Sequence, residues 1–255
     1  MDGNHLMANA MCNNTNISAI MPTFAPRNSY IKTAIQQFFN SDITYTNKSN
    51  VTIELIIIDD SIENKNTFIM EQQQQYNIKT SNIYITYIHL NYTSSVGEKR
   101  NVGIKKACGN VIILIDDDDL YFPDRIVKQC SPLLRSSSGD NKRTYLDGNE
   151  ISTTSKSLQI DVVIPRATLF YQIGNNAMYY VNNNKIGHAP LLLGTVAFRK
   201  ALFSNPCIYP HTNLDEDHAF IACITTSKAL NVQIIPSREI IIRHYANTWT
   251  NLNLN

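Results

Sequence analysis

The chain is short of charge, of glycine and proline, and of long apolar runs. Charged residues make up 17% of its 255 residues, and 22 basic against 21 acidic side chains leave a formal net charge of +1. A globular protein ordinarily carries about a quarter charged residues, so uncharged polar groups, among them 30 asparagines, must cover much of the surface. A balance so near zero excludes a general binder of phosphate backbones, which needs a basic excess on one face. No apolar run reaches the roughly 18 residues of a membrane-spanning helix; Leu55 to Ile58 and Val111 to Ile115 are far shorter. The N-terminus, Met1-Asp2-Gly3-Asn4, has neither the basic nor the apolar region of a signal peptide. The cysteines (Cys12, Cys108, Cys130, Cys207, Cys223) are odd in number and widely spaced, with no Cys-x-x-Cys pair. That usage predicts reduced core thiols in a cytoplasmic setting rather than a disulfide framework or a zinc site.

Hydrophobic periodicity divides what remains. Residues 1–15 are small, polar and unpatterned and read as a loose tail. From 16 to 255 no linker interrupts the chain, which predicts one domain with a first half ending near 135 and a less regular second half, 136–255. In the first half strand and helix signals alternate. Strands are predicted at Ile17 to Met21, Val51 to Ile58, Ile83 to Leu90 and Val111 to Ile115, with helices at Tyr30 to Phe39, Thr67 to Tyr76, Ser95 to Cys108 and from Pro123 onward. Ser95 with Glu98 fits a capping box, Gly109 a helix stop, and Pro123 a first helical position. Such alternation predicts a mainly parallel α/β sheet with helices on both faces. Beyond it, Ser136 to Lys156 reads as a loop or weak hairpin. Short β-like runs follow to Phe198, then a helix over Asp215 to Ala229 and strands at Val232 to Ile235 and Ile240 to Arg243.

In an open parallel sheet ligands bind beyond the carboxyl ends of the strands, and two acidic groups fall there: Asp59-Asp60 and Asp116-Asp117-Asp118-Asp119. Four adjacent carboxylates repel one another and give a strand end no structural benefit. A hard cation, Mg²⁺ or Mn²⁺, shared with a substrate phosphate would neutralise them; the alternative is a solvated acidic turn. No Walker or Rossmann glycine loop is present to cradle phosphate instead.

These residues resemble a known family. Ile57-Ile58-Asp59-Asp60-Ser61 is similar to the uridine-contacting motif of GT-A fold, family 2-like glycosyltransferases. Gly97-Glu98-Lys99-Arg100-Asn101-Val102-Gly103, with Ala107 and Gly109, resembles their Arg-Asn-x-Gly helix. Ile115 to Asp119 with Pro123 resembles their DXD motif and its trailing proline, and Ile20 to Phe24 their first strand. The resemblance implies a GT-A, Rossmann-like fold whose residues 16–135 bind a nucleotide-sugar and whose residues 136–255 form the acceptor side. The activity implied is metal-dependent, inverting, hexosyltransferase-like transfer from a nucleotide-sugar, a UDP-sugar first, to a glycan or other hydroxyl acceptor in glycan biosynthesis.

It also implies roles. Pro22 to Phe24 and Asp60 would hold the base, Phe24 by stacking. Arg100 would lie near the nucleotide and balance donor charge. Asp116, with Asp117, would approach ribose or metal, and Asp118 would be the principal metal ligand, although four identical carboxylates leave the slots interchangeable. Leu214-Asp215-Glu216-Asp217-His218 resembles the family's Glu-Asp motif. There Asp217, with Asp215 as competitor, would be the general base, and Glu216 would orient the acceptor. His244 is a candidate third metal ligand, since imidazole suits Mn²⁺; His188 is a weaker acceptor candidate, and His211 and His218 have no zinc spacing. Rival functions are a nucleotidyltransferase, whose Gly-rich basic signature is missing from Pro22 to Arg27, and a non-catalytic binding module on the same fold. Neither a nucleic-acid partner nor a membrane span is implied.

Overall fold

The computed structural model describes residues 15–24, 28–41, 51–61, 66–79, 82–135, 144–146, 149–151, 159–165, 167–172, 177–182, 196–204, 206–213, 216–227, 230–235 and 240–244. The chain runs β1 (Thr15–Thr23), α1 (Asn28–Phe39), β2 (Thr52–Asp59), α2 (Thr67–Lys79), β3 (Ile83–His89), α3 (Val96–Lys106), β4 (Val111–Leu114), β5 (Leu120–Tyr121) and α4 (Arg125–Arg135). The second half adds β6 (Thr144–Leu146), β7 (Asn149–Ile151), β8 (Val162–Pro165), β9 (Ala167–Gln172), β10 (Ala177–Asn182) and β11 (Ala197–Arg199), then α5 (Glu216–Ser227), β12 (Val232–Ile235) and β13 (Ile240–His244).

Seven strands form the central sheet in the order β12-β8-β11-β4-β1-β2-β3. β1, β2, β3 and β4 are mutually parallel, as is the β8–β12 pair. β11 alone runs against its neighbours β4 and β8, so the sheet is mixed at one position. A second sheet, β10-β9-β13-β5, and the β6–β7 hairpin complete the pairing; the hairpin is the weaker of the two predictions made for 136–156.

β2 is buried at every residue, as a strand covered on both faces must be. Its alternate side chains part into two cores. Leu55 and Ile57 face Ile31, Ile35, Phe38, Ile69, Ile126 and Leu133 from α1, α2 and α4. Ile56 and Ile58 face Ile104 of α3 and Phe220 and Ile224 of α5. Gly103 lets α3 lie flat on the sheet: a Cβ there would stand 2.7 Å from both Ile20 Cγ2 and Ile58 Cδ1.

At the opposite edge from the strand ends, Glu54 is 1% exposed yet fully engaged. Its carboxyl group accepts from the Ser18 hydroxyl, from Cys108 N at 2.5 Å, from Gly109 N at 3.4 Å and from Tyr84 OH at 3.2 Å. It thereby gathers N–H groups of the chain leaving α3. Ser95 caps α3 by accepting from Glu98 N at 3.2 Å. Glu98 does not complete the box; its carboxylate takes Ser94 Oγ–H at 2.8 Å and Tyr92 OH at 3.1 Å.

Two expectations are corrected. α4 begins at Arg125, so Pro123 and Asp124 form a turn ahead of it rather than its first residues. The cysteines are not five reduced thiols: Cys207 and Cys223 form a disulfide with Cα atoms 5.4 Å apart, Cys108 is also disulfide-bonded, and Cys130 is a free, buried thiol. Cys207 and Cys223 lie on separate segments that packing brings together, and sixteen residues of spacing gave no sign of it. The cytoplasmic reading loses that support. Among the described residues no helix is long and apolar enough to cross a membrane.

Candidate functional site

Because β1, β2 and β4 are parallel, Phe24, Asp60 and Asp116 all follow strand ends on one edge of the sheet. β1 and β4 pair only as far as Ile20↔Leu114; past that point the strands part, and Pro22 to Phe24 line one side of the opening. The N-termini of α3 and α5 reach the same edge. α3 is fixed there by backbone contacts, Gly97 N donating to Thr212 O at 3.1 Å and Val96 N to Asn213 Oδ1 at 2.9 Å. Asn101 adds a two-way link: its Nδ2 donates to Tyr209 O at 2.7 Å, and Tyr209 N donates to its Oδ1 at 2.9 Å.

The base-side residues form one cluster. Phe24 is 39% exposed, so its ring is not core packing. Lys99 Nζ sits 5.5 Å from the centre of that ring and donates to Asp60 Oδ1 at 2.7 Å and Thr23 O at 2.9 Å. Asp60 Oδ2 accepts from Ser94 N at 2.8 Å. Asp60 is thus held on both carboxylate oxygens, by a buried ammonium and by a backbone N–H. Sequence reasoning assigned Lys99 no role. A second cation beside Arg100, in a chain so poor in charge, was the signal available.

The four aspartates are separated by their surroundings. Asp117 and Asp119 are buried, whereas Asp116 and Asp118 are partly exposed, around a turn in which Asp119 N donates to Asp116 O at 3.4 Å. Thr23 Oγ1–H donates to Asp117 Oδ2 at 2.6 Å, turning that carboxylate inward. Tyr121 OH donates to Asp119 Oδ2 at 3.2 Å and accepts from Asp116 N at 2.6 Å. Arg125 lies 4.0 Å over the Tyr121 ring and donates to Leu114 O at 2.6 Å. Burial, then the nearby Asp116 and Asp118 charges, push the Asp119 carboxyl well above the usual carboxylate range. The chemically identical run therefore resolves into two buried carboxylates, Asp117 and Asp119, and two partly exposed ones, Asp116 and Asp118. Tyr121 and Arg125, which sequence reasoning also passed over, brace the turn.

Arg100 stands between this turn and α5. It is 2% exposed, which excludes a surface helix residue. Nη1 donates to Glu216 Oε1 at 2.7 Å and to Asp217 Oδ1, and Nη2 donates to Asp116 Oδ1 at 3.2 Å. Its guanidinium lies 5.6 Å from the Tyr209 ring, which stacks on Phe220 with centroids 4.3 Å apart. Burial opposes the Arg100 charge, but Asp217, Asp116 and Glu216 hold its pKa well above the usual arginine value. Burial pushes Asp217 up to about 6, against the lowering effect of Arg100 and with Glu216 and Asp116 adding to the rise. A carboxyl with that pKa is poised for proton transfer near neutrality.

His244 ends β13, which pairs antiparallel with β5 through Ile241↔Leu120, so the strand runs toward the aspartate turn; its side chain lies outside the described residues. Asp215 and His188 lie outside them as well, and His211 and His218 are exposed. No group of three or more His, Cys, Asp or Glu side chains among the described residues forms a metal cage. Two partly exposed carboxylates, Asp116 and Asp118, do suit a hard cation that completes its shell with substrate phosphate and water.

The chain resembles known proteins in the same terms. It is 28% identical over 149 residues to an uncharacterised glycosyltransferase of Haemophilus influenzae, covering 57% of this chain and 54% of that protein. It is 37% identical over 116 residues to the colanic acid biosynthesis glycosyl transferase WcaA of Escherichia coli, covering 46% and 37%. The chain thus spans about half of one curated relative and little more than a third of the other. Among solved structures, residues 1–349 of S. aureus TarS superpose with a TM-score of 0.60 at 15% identity, over 90% of this chain and 60% of that one. The mannosyltransferase PcManGT of Pyrobaculum calidifontis, in complex with GDP-Man and Mn²⁺, gives 0.53 at 11% identity, over 90% and 56%. At such identities these two show the fold alone, the GT-A arrangement. The glycosyl transferase family 2 model matches residues 18–193, from the first strand through the base cluster, Arg100 and the aspartate turn, and the chain belongs to that family.

Proposed function

We infer that the protein transfers a sugar from a nucleotide-sugar, a UDP-sugar first, to an acceptor hydroxyl with inversion at the anomeric carbon. The observation that carries this reading is the meeting of Asp116 and Asp217 on one guanidinium at the sheet edge where Asp60 and Phe24 also lie. It brings donor-side and acceptor-side carboxylates within one cleft. TarS structures with UDP and with UDP-GlcNAc, and the PcManGT complex with GDP-Man, support a nucleotide-sugar donor on this fold.

In this reading the base stacks on Phe24 beside Pro22, and its imide N–H donates to Asp60, which Lys99 holds in place. Asp116 takes the ribose. Asp118, with His244, would hold Mn²⁺ or Mg²⁺, whose charge would stabilise the departing nucleoside diphosphate. Asp117 supports the turn from beneath. Asp217 accepts the acceptor hydroxyl's proton as that oxygen bonds to the anomeric carbon and the bond to the diphosphate oxygen breaks. Glu216 orients the acceptor.

Transfer and donor binding separate these roles. Asp217→Asn should lower kcat by about 10²–10⁴-fold while leaving the donor Kd, read by calorimetry, within a few-fold. Asp118→Ala should abolish Mn²⁺-dependent transfer. Near-normal transfer by either variant removes its assigned role, and binding of donor with no turnover by the unaltered protein would identify a binding module instead.

A further inference from the structure

A guanidinium that balances a bound diphosphate must present its donors to the ligand. Arg100 presents them to the chain. Both terminal nitrogens are engaged by carboxylates, from Glu216, Asp217 and Asp116. Its Nε has no partner among the described residues and is shut away from solvent. The three carboxylates come from the β4–β5 turn and the first turn of α5, segments that no strand pairing joins. They repel one another, and the Arg100 guanidinium stands between them as the cation that offsets that repulsion.

We propose that Arg100 is a positioning residue that holds the base Asp217 against the donor-side Asp116, rather than a ligand of the donor phosphates. The proposal rests on the assignment of Asp217 as base. Facing the Asp217 carboxylate are Arg100 from α3, Glu216 from α5 itself, Asp116 from the β4–β5 turn and the Tyr209 ring from the segment before α5. Tyr209 is itself raised well above the usual phenol range, by burial first, and so brings no charge near neutrality. Arg100 is then the sole positive group among them. It keeps Asp217 ionised against burial and two like charges, and fixes one carboxylate oxygen so that the other is left for the acceptor hydroxyl.

The test is a titration of the Asp217 carboxyl by ¹³C NMR without divalent cation, with Asp217→Asn identifying the resonance, in Arg100→Gln, Arg100→Lys and Asp116→Asn. UDP affinity and the pH profile of kcat/KM are measured beside it. Arg100→Gln should raise the Asp217 midpoint by at least about one pH unit, a tenfold loss of ionised base, and carry the acid limb of kcat/KM with it. Arg100→Lys should restore part of the shift. UDP affinity should stay within about threefold. Asp116→Asn should move the midpoint down, by removing a like charge. An unmoved midpoint in Arg100→Gln overturns the proposal, as does a hundredfold loss of UDP affinity without a shift, the mark of a donor ligand. If Arg100→Gln fails to fold by near-ultraviolet circular dichroism, Asp116→Asn decides alone: an unmoved or raised midpoint refutes the link. Should no nucleotide-sugar be turned over, the assigned function fails while the titration still reports on Arg100.

Discussion

Replacing Gly97 by alanine sets helix propensity against a steric clash. Gly97 is in the first turn of α3, where alanine is worth up to about 1 kcal/mol over glycine. The added Cβ, however, would stand 1.9 Å from the Pro210 carbonyl oxygen, 3.1 Å from its carbon and 3.4 Å from Glu216 Cβ. Backbone atoms cannot swing aside as a side chain can, so to restore an ordinary 3.4 Å contact the two segments must part by about 1.5 Å. Overpacking of this kind costs about 1–3 kcal/mol, which leaves a net loss of roughly 0–2 kcal/mol after the helix gain. The displaced segment carries Tyr209 and leads into Glu216 and Asp217, and a misplacement of about 1 Å at a reacting group costs up to about 10²-fold in rate. Gly97→Ala should therefore melt within a few degrees of the unaltered protein by urea or thermal denaturation, yet transfer sugar at least about tenfold more slowly, with the Gly97 N to Thr212 O amide losing exchange protection. A variant that is stabilised and fully active would refute the steric argument.

Two further substitutions probe the scaffold. Glu54→Ala leaves the Cys108 N–H and the Ser18 hydroxyl without their buried acceptor, while Gly109 N keeps Ser18 Oγ at 2.8 Å, and opens a cavity; at about 1–3 kcal/mol per orphaned group a urea midpoint shift equivalent to at least about 3 kcal/mol is expected, and a change under 1 kcal/mol would show that the network contributes little. Opening the Cys207–Cys223 bridge, by reduction or by Cys207→Ser with Cys223→Ser, should cost about 3 kcal/mol from a closed loop of that size and lower kcat more than donor affinity, because α5 carries the acceptor-side acids; equal melting of oxidised and reduced protein would refute it.

The donor half was readable because its physics is local. A nearly all-apolar Ile-rich run is a doubly covered strand, and Ser95 is a cap. What could not be read was set by partners distant in the chain. Nothing in Asp116 to Asp119 says which pair turns inward; that depends on Thr23, 94 residues from Asp117, and on Tyr121. The ion pairs of Arg100 were equally illegible, because the carboxylates that engage it lie up to 117 residues away. The cysteines misled for the same reason, since a spacing of sixteen residues acquires meaning only when the segment before α5 folds back on that helix.

That separation in sequence has a kinetic meaning. β1 is the hub of the sheet, pairing with β2 and β4, so the donor half can condense from contacts among residues 15–135. The Arg100–Asp217 contact closes a loop of more than a hundred residues, and such non-local contacts form late in folding because their closure entropy is repaid only once the flanking structure is in place. Under the proposed assignment of Asp60 and Asp217, a nascent or refolding chain is thus expected to form its nucleotide side before its base is in place, so that competence to bind a donor would precede competence to react with it.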